Sequence, residues 1–147
     1  MKRDIYPKLL QWKSSSRRKP LLLQGARQTG KTFILKEFGR NEYRNTIYCN
    51  FEENSGLDQL FQNDLNPDRI LADLATYMNL EIRPESDLVL FDEIQISNRA
   101  LNSLKYFAEQ QADVHMVAAG SLLGLKMSGP GSFPVGKVNF LHLYPMT

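Results

Sequence analysis

The chain has 147 residues, of which 42% are hydrophobic and 23% charged, the composition of a soluble globular domain. No apolar run approaches the roughly 20 residues that a membrane span requires, and the N-terminus lacks the apolar block of a signal peptide. Cys49 is the single cysteine, which excludes an intrachain disulfide and a thiolate metal cluster. We therefore expect a cytoplasmic protein without a membrane partner.

The net charge is +2, but the charge is unevenly distributed. Residues 1–20 hold seven basic residues and one acidic residue, including the run Arg17-Arg18-Lys19. We interpret this run as a solvated linker. Contact with nucleic acid is the alternative, although neither a basic face nor an aromatic-basic motif continues the run.

Apolar periodicity predicts four helices and five strands. The helices are expected over about 4–13, 31–38, 66–78 and 97–110, and the strands over 20–24, 45–51, 87–93, 114–121 and 138–144. The third helix carries its own start signals, with Asn66 as N-cap and Pro67 in the first turn. A Gly-, Pro- and Ser-rich stretch over 124–137 predicts a long surface loop. Strands that alternate with helices predict an α/β fold with a parallel sheet covered on both faces.

A phosphate-binding loop is predicted between the first strand and the second helix. The eight residues of this loop are Gly25, Ala26, Arg27, Gln28, Thr29, Gly30, Lys31 and Thr32, which match the pattern G-x-x-x-x-G-K-[ST]. Glycines permit a concave backbone whose N–H groups point at phosphates, at the positive end of the following helix. Lys31 would add a charge on the terminal phosphates, and the Thr32 hydroxyl would ligate Mg²⁺.

Two carboxylates end the apolar strand "LVLFDE", where a phosphate loop requires a metal-binding partner. Asp92 would hold Mg²⁺, mostly through water, because this ion gives up its hydration shell reluctantly. Glu93 is the candidate general base that polarises a water against the γ-phosphate. The pair predicts a three-layer P-loop NTPase in which the five strands lie in the order 5-1-4-3-2.

Ser121 ends the fourth strand, which this order places between the two motif strands. Its side chain would then lie beside the γ-phosphate and orient the attacking water. The alternative is that Ser121 caps the turn that follows.

Four motifs together resemble the AAA-type ATPase domain of prokaryotic ATP-binding proteins. They are "GARQTGKT", "LVLFDEIQ", "AAGSLLG" and "FPVGKVNFLHLYPMT", and the likeness runs from about Arg3 to the last residue. The resemblance implies ATP and Mg²⁺ as cofactors and gives Lys31, Thr32, Asp92 and Glu93 the roles described above. Its members usually carry a further C-terminal domain.

The chain departs from that family in two ways. Many members have an arginine where this chain has Lys137, and a lysine lacks the bidentate fork of an arginine finger. The sequence also stops just after the fifth strand, before the helical lid of AAA-type proteins. We therefore expect residues 1–147 to be the N-terminal ATPase core of a longer chain. A neighbouring subunit or a C-terminal region would complete its site.

Three further interpretations concern single side chains. Arg27 either reaches a phosphate or a neighbouring subunit, or pairs with an acidic residue such as Glu93. Tyr6 and Trp12 either wall an adenine pocket or pack in the core, and core packing is the preferred interpretation. His115 and His142 have no second ligand at metal spacing, so we expect no zinc site.

The leading hypothesis for function is Mg²⁺-dependent ATP hydrolysis that drives a conformational change. The alternative is a switch in which ATP occupancy, with little turnover, controls a partner. Glu93 favours hydrolysis, because a pure switch needs no base, whereas the absent lid and arginine favour the switch. A small-molecule kinase would need an acceptor pocket and lid arginines that the sequence does not show.

Overall fold

The fold is a five-stranded parallel sheet between two layers of helices. The computed structural model describes residues 2–25, 30–121 and 135–143. The helices are α1 (Lys2–Ser14), α2 (Lys31–Glu42), α3 (Pro67–Met78) and α4 (Asn98–Gln110), and the strands are β1 (Leu21–Gln24), β2 (Asn45–Asn50), β3 (Asp87–Asp92), β4 (His115–Gly120) and β5 (Asn139–His142). The strands lie in the order β2-β3-β4-β1-β5, and each neighbouring pair is parallel. The predicted three-layer fold and strand order are therefore confirmed.

Successive side chains along each strand point to opposite faces of the sheet, so the core is divided into two parts. Leu21 and Leu23 of β1 pack on one face, with α1 and α2, and Leu22 packs on the other, with α3 and α4. Strands β1, β3 and β4 are buried along their whole length. This is the pattern of a parallel sheet covered on both sides, in which the strands read as nearly continuous apolar runs.

Helix α2 runs four residues beyond its predicted end, and Gly39 explains the difference. The sequence predicts this helix over 31–38, and the next residue is a glycine, which usually weakens a helix. Gly39 is buried, and a Cβ at this position would collide with the Thr46 hydroxyl on β2. The glycine therefore permits a close approach of helix and strand. By contrast, α3 begins where predicted, and the Asn66 side chain accepts hydrogen bonds from the backbone N–H groups of Asp68 and Arg69.

A 3-10 segment over Ser55–Phe61 was not predicted from the sequence. It buries Leu57 and Phe61 in the core on the α3–α4 side of the sheet. The Phe61 ring meets those of Phe51 and Phe91 at centroid distances of 5.8 Å each. The three aromatic residues do not recur at the period of a helix or a strand. The sequence alone therefore does not predict that their rings pack together.

The basic N-terminal segment has structural contacts of its own. The Arg18 guanidinium donates to the backbone carbonyls of Lys13 and Ser15 at the end of α1. The Lys19 ammonium donates to the carbonyl of Gly136, just before β5. Two of the three basic side chains in this run therefore contact the backbone of the domain itself.

His115 is buried at the start of β4 beside a tyrosine. Its Nδ1 lies 2.6 Å from the Tyr43 hydroxyl, and its ring packs edge-on against Trp12. Burial, with smaller contributions from Arg18 and Lys13 that Asp113 partly opposes, lowers the pKa of His115 to about 4. The imidazole is therefore neutral in the folded protein at pH 7.

This neutral histidine predicts a loss of stability in mild acid. Between pH 6.5 and 4 the unfolded chain binds a proton that folded His115 does not, so the free energy of unfolding falls as pH falls. At about 1.4 kcal/mol per pKa unit, the loss is on the order of 3 kcal/mol. Urea denaturation at several pH values measures it. His115→Asn, which keeps a polar partner for Tyr43, should show a smaller decrease, and an equal decrease in both proteins would contradict the assignment.

Candidate functional site

The candidate site lies at the edge of the sheet where the parallel strands end. Gln24 at the end of β1 pairs with Gly120 at the end of β4, and Asn50 of β2 pairs with Asp92 of β3. The N–H of Gly25, the first residue of the predicted phosphate loop, donates to the Gly120 carbonyl at 3.3 Å. The loop therefore starts directly above β1 and β4.

The second half of the loop leads straight into helix α2. Gly30 caps the helix with φ of 88°, a left-handed conformation that glycine adopts without the steric cost of a side chain. No side chain of the described residues caps this helix start, and its first turn carries no acidic residue. The uncapped N–H groups and the helix dipole thus remain suited to an anion.

Lys31 is the first residue of α2 and is buried. Its ammonium donates to the carbonyl of Gly25 across the loop at 2.8 Å. The ammonium is thus held at the backbone of the loop's first residue. Ala26, Arg27, Gln28 and Thr29 lie outside the described residues, as does any pairing of Arg27 with Glu93.

Thr32 and Asp92, which the sequence assigned to one metal site, are in direct contact. The Thr32 hydroxyl donates to Asp92 Oδ2 at 2.6 Å, although 60 residues separate the two positions. Asp92 is only 1% exposed, and its second oxygen accepts the backbone N–H of Glu93 at 3.0 Å. The first turn of α2 and the end of β3 therefore meet at one carboxylate.

Tyr48 also contacts this carboxylate and was not predicted to belong to the site. Its hydroxyl donates to Asp92 Oδ2 at 2.6 Å. Burial and then the hydrogen bond to Asp92 raise the pKa of Tyr48, so its hydroxyl keeps its proton. The signal in the sequence is weak, because a tyrosine in "NTIYCNF" looks like an ordinary strand aromatic.

Glu93 leaves the strand in an unusual backbone conformation. Its φ and ψ are 55° and 43°, the left-handed region that residues with a Cβ seldom adopt. Its side chain is half-buried, and Oε1 accepts a hydrogen bond from Gln95 Nε2 at 2.8 Å. This turn directs the chain away from β3 immediately after Asp92 and fixes the second carboxylate separately from the first.

Ser121 lies at the end of the sheet where the strands finish, and Lys137 lies at the opposite end, where the strands begin. Ser121 directly follows β4 and is half-buried at the same edge as Asp92. Lys137 precedes β5, where strands begin, and its ammonium pairs with Glu109 of α4 at 3.1 Å. The described contact of Lys137 is thus on the far side of the sheet from the loop, and the structure does not bring it to the site.

The two N-terminal aromatic residues pack in the core. Trp12 is buried against Phe38 and His115, and its indole N–H donates to the carbonyl of Lys19. The Tyr6 ring meets Phe38 edge-on, and its hydroxyl donates to Glu42 at the end of α2. Both therefore lie away from the loop at the start of α2, which agrees with the core interpretation.

The side chains that meet at Asp92 fit a magnesium ion. Mg²⁺ prefers oxygen ligands and is usually held by one or two carboxylates together with substrate phosphates and waters. Thr32 and Asp92 supply one hydroxyl and one carboxylate. Within the described residues no group of three or more His, Cys, Asp or Glu side chains forms a complete metal cage. A site completed by a phosphate ligand is compatible with that arrangement.

Sheet order, glycine loop and paired carboxylates define a nucleotide-binding fold of the P-loop ATPase type. The family model described as "AAA domain" matches residues 17–147. The chain belongs to this family. A comparison with curated proteins gives no match.

Solved structures share the fold at low sequence identity. The Orc1 protein of Aeropyrum pernix, solved in complex with DNA, is similar with a TM-score of 0.61 and 16% identity, over 99% of this chain and 44% of that one. The Pif1 helicase of Candida albicans is similar with a TM-score of 0.57 and 15% identity, over 99% of this chain and 39% of that one. The chain thus spans less than half the length of either protein.

The helices of the described residues are those of a compact α/β domain. None of these described helices has the length and apolar character needed to cross a bilayer.

Proposed function

We propose that this domain binds ATP with Mg²⁺ and hydrolyses it. The observation that carries the proposal is the 2.6 Å hydrogen bond between Thr32 and Asp92. The phosphate loop and the acidic strand are distant in sequence, and their two key oxygen ligands meet at one point. A glycine turn without a phosphate-binding role would not be expected to place its threonine against a buried carboxylate.

In the proposed complex the phosphates lie in the loop from Gly25 to Thr32. Lys31 moves from the Gly25 carbonyl to the terminal phosphates, exchanging a neutral acceptor for a charged one. Thr32 and Asp92 hold Mg²⁺, which when bound neutralises charge on the phosphates. The open start of α2 supplies N–H groups to the same anion.

Hydrolysis uses Glu93 as the base. A water oxygen bonds to the γ-phosphorus, the bond from phosphorus to the bridging oxygen breaks, and the proton of the water passes to the Glu93 carboxylate. The hydrogen bond from Gln95 orients that carboxylate, and Ser121, at the end of β4, orients the water. Separate fixation of Asp92 and Glu93 supports two roles for two adjacent carboxylates.

An occupancy switch with little turnover is the alternative, and the position of Lys137 favours it. A phosphoryl transfer site gains 10³–10⁵ in rate from an arginine that reaches the γ-phosphate. Lys137, at the family's arginine position, pairs instead with Glu109. We propose that the additional positive charge comes from a neighbouring subunit or from a further domain.

The test is phosphate release by the 147-residue chain across a series of protein concentrations. We expect ATP binding at every concentration but slow turnover per molecule when the chain is dilute and monomeric. A rise in specific activity with concentration would support a site completed between subunits. Full turnover of the dilute monomer, in the range of 1 s⁻¹ or faster that is typical of enzymes, would support hydrolysis but contradict the need for a neighbouring subunit or further domain. Zero turnover at all concentrations, with ATP bound, would favour the switch.

A further inference from the structure

Asp92 Oδ2 accepts hydrogen bonds from two hydroxyl groups that come from different parts of the fold. Thr32 approaches from α2 and Tyr48 from β2, and both oxygens lie 2.6 Å from Oδ2. With Glu93 N–H on Oδ1, the carboxylate accepts three hydrogen bonds from the described residues. Donors on both oxygens hold such a carboxylate in one orientation.

The direction of the Tyr48 hydrogen bond follows from a chain of donors. The backbone N–H groups of Glu52 and Glu53 donate to Asn50 Oδ1 at 2.9 and 3.0 Å, which fixes the orientation of the Asn50 amide. Asn50 Nδ2 then donates to the Tyr48 oxygen at 3.0 Å. Since that oxygen already accepts a hydrogen bond, the Tyr48 proton points to Asp92.

A cation over the tyrosine ring reinforces this arrangement. The Lys36 ammonium lies 4.0 Å from the centroid of the Tyr48 ring. Lys36 is four residues after Thr32, so both side chains project from the same face of α2. The attraction between this positive charge and the ring face helps to hold the Tyr48 ring in place against α2.

We propose that Tyr48 is a positioning residue that orients Asp92 toward the Mg²⁺ of the bound nucleotide. The proposal rests on the proposed function, because it assigns a role at the same metal site. The Tyr48 hydroxyl contacts the carboxylate of Asp92, and we do not assign it as a metal ligand. Together with Thr32 it supplies two hydroxyl donors to Oδ2, and so fixes the carboxylate that would hold the ion. Groups that orient a metal ligand in this way commonly determine metal affinity.

Tyr48→Phe removes the hydroxyl and keeps the ring under Lys36. We expect the Mg²⁺ concentration needed for half-maximal tight binding of a non-hydrolysable ATP analogue to rise by about 10–100-fold. Binding of the analogue in EDTA should be unchanged, because the loop is intact. Both quantities are measured by titration of Mg²⁺ and of analogue against the 147-residue chain. A hydroxyl needed only for folding would not change the Mg²⁺ midpoint selectively.

Tyr77→Phe is the matched control. It deletes an exposed hydroxyl that donates to Asn54 at 2.7 Å, outside the site, and should leave the Mg²⁺ midpoint unchanged. Asn50→Ala, which keeps Tyr48 but removes the donor that directs its proton, should shift the midpoint in the same direction by a smaller factor. This variant also tests the proposal if Tyr48→Phe fails to fold.

Two results distinguish a failure of the Tyr48 proposal from a failure of the magnesium site. If the parent chain gains affinity from Mg²⁺ and Tyr48→Phe keeps the parent's midpoint within twofold, the role of Tyr48 is refuted while the nucleotide site stands. If the parent chain binds the analogue equally with Mg²⁺ and with EDTA, the magnesium site itself is wrong, and the assignment of Tyr48 falls with it.

Discussion

Glu93→Gln is expected to reduce ATP turnover by roughly 10²–10⁴ while ATP and Mg²⁺ remain bound, the usual contribution of a general base. An amide of the same size cannot take a proton from the attacking water. Its carbonyl oxygen can still accept the hydrogen bond that Gln95 donates to Glu93, so the surrounding structure should persist. Phosphate release at saturating ATP, together with calorimetric binding of ATP, measures both parts of this expectation.

Asp92→Ala provides the contrast between the two adjacent carboxylates. Asp92 contacts Thr32 and Tyr48, so its loss should weaken the Mg²⁺ dependence of nucleotide binding. Glu93→Gln should leave that dependence intact. If Glu93→Gln turns ATP over as fast as the parent, the assignment of Glu93 as the general base is wrong.

The fold could be predicted because its sequence motifs follow one another in a specific order along the chain. A strand, a glycine loop and a helix in that order, followed by an apolar strand that ends in two carboxylates, match a small set of parallel topologies. The order β2-β3-β4-β1-β5 follows once the strand of Asp92 is separated from β1 by one strand. Local start signals such as Asn66 and Pro67 also placed a helix start correctly, because capping depends only on neighbouring residues.

Contacts between distant residues could not be predicted in the same way. Tyr48 reaches Asp92 only because β2 pairs with β3 in one particular register. Gly39 stays helical because it fits against Thr46, whereas its local propensity indicates a helix end. The left-handed backbone at Glu93 is likewise set by the chain leaving the sheet at the site, and its residue type does not indicate it.

Lys31→Ala is expected to weaken ATP binding strongly. The structure holds the Lys31 ammonium at the first residue of α2, directed across the loop to Gly25. Each charge-assisted hydrogen bond to phosphate that is lost should cost about 1.5–3 kcal/mol. The dissociation constant should therefore rise by roughly 10–100-fold for each lost contact. Isothermal titration calorimetry with Mg²⁺ and a non-hydrolysable ATP analogue measures the change.

That titration, on the parent chain and Lys31→Ala side by side, tests the nucleotide site most directly. Lys105→Ala is the control, since it removes the same charge from α4, where the Lys105 ammonium lies against the Tyr106 ring. The thermal unfolding midpoint of each protein confirms that all three are folded. We predict binding by the parent chain and by Lys105→Ala, and a loss of at least about tenfold in Lys31→Ala. Equal affinity of Lys31→Ala and the parent would contradict a phosphate site in this loop.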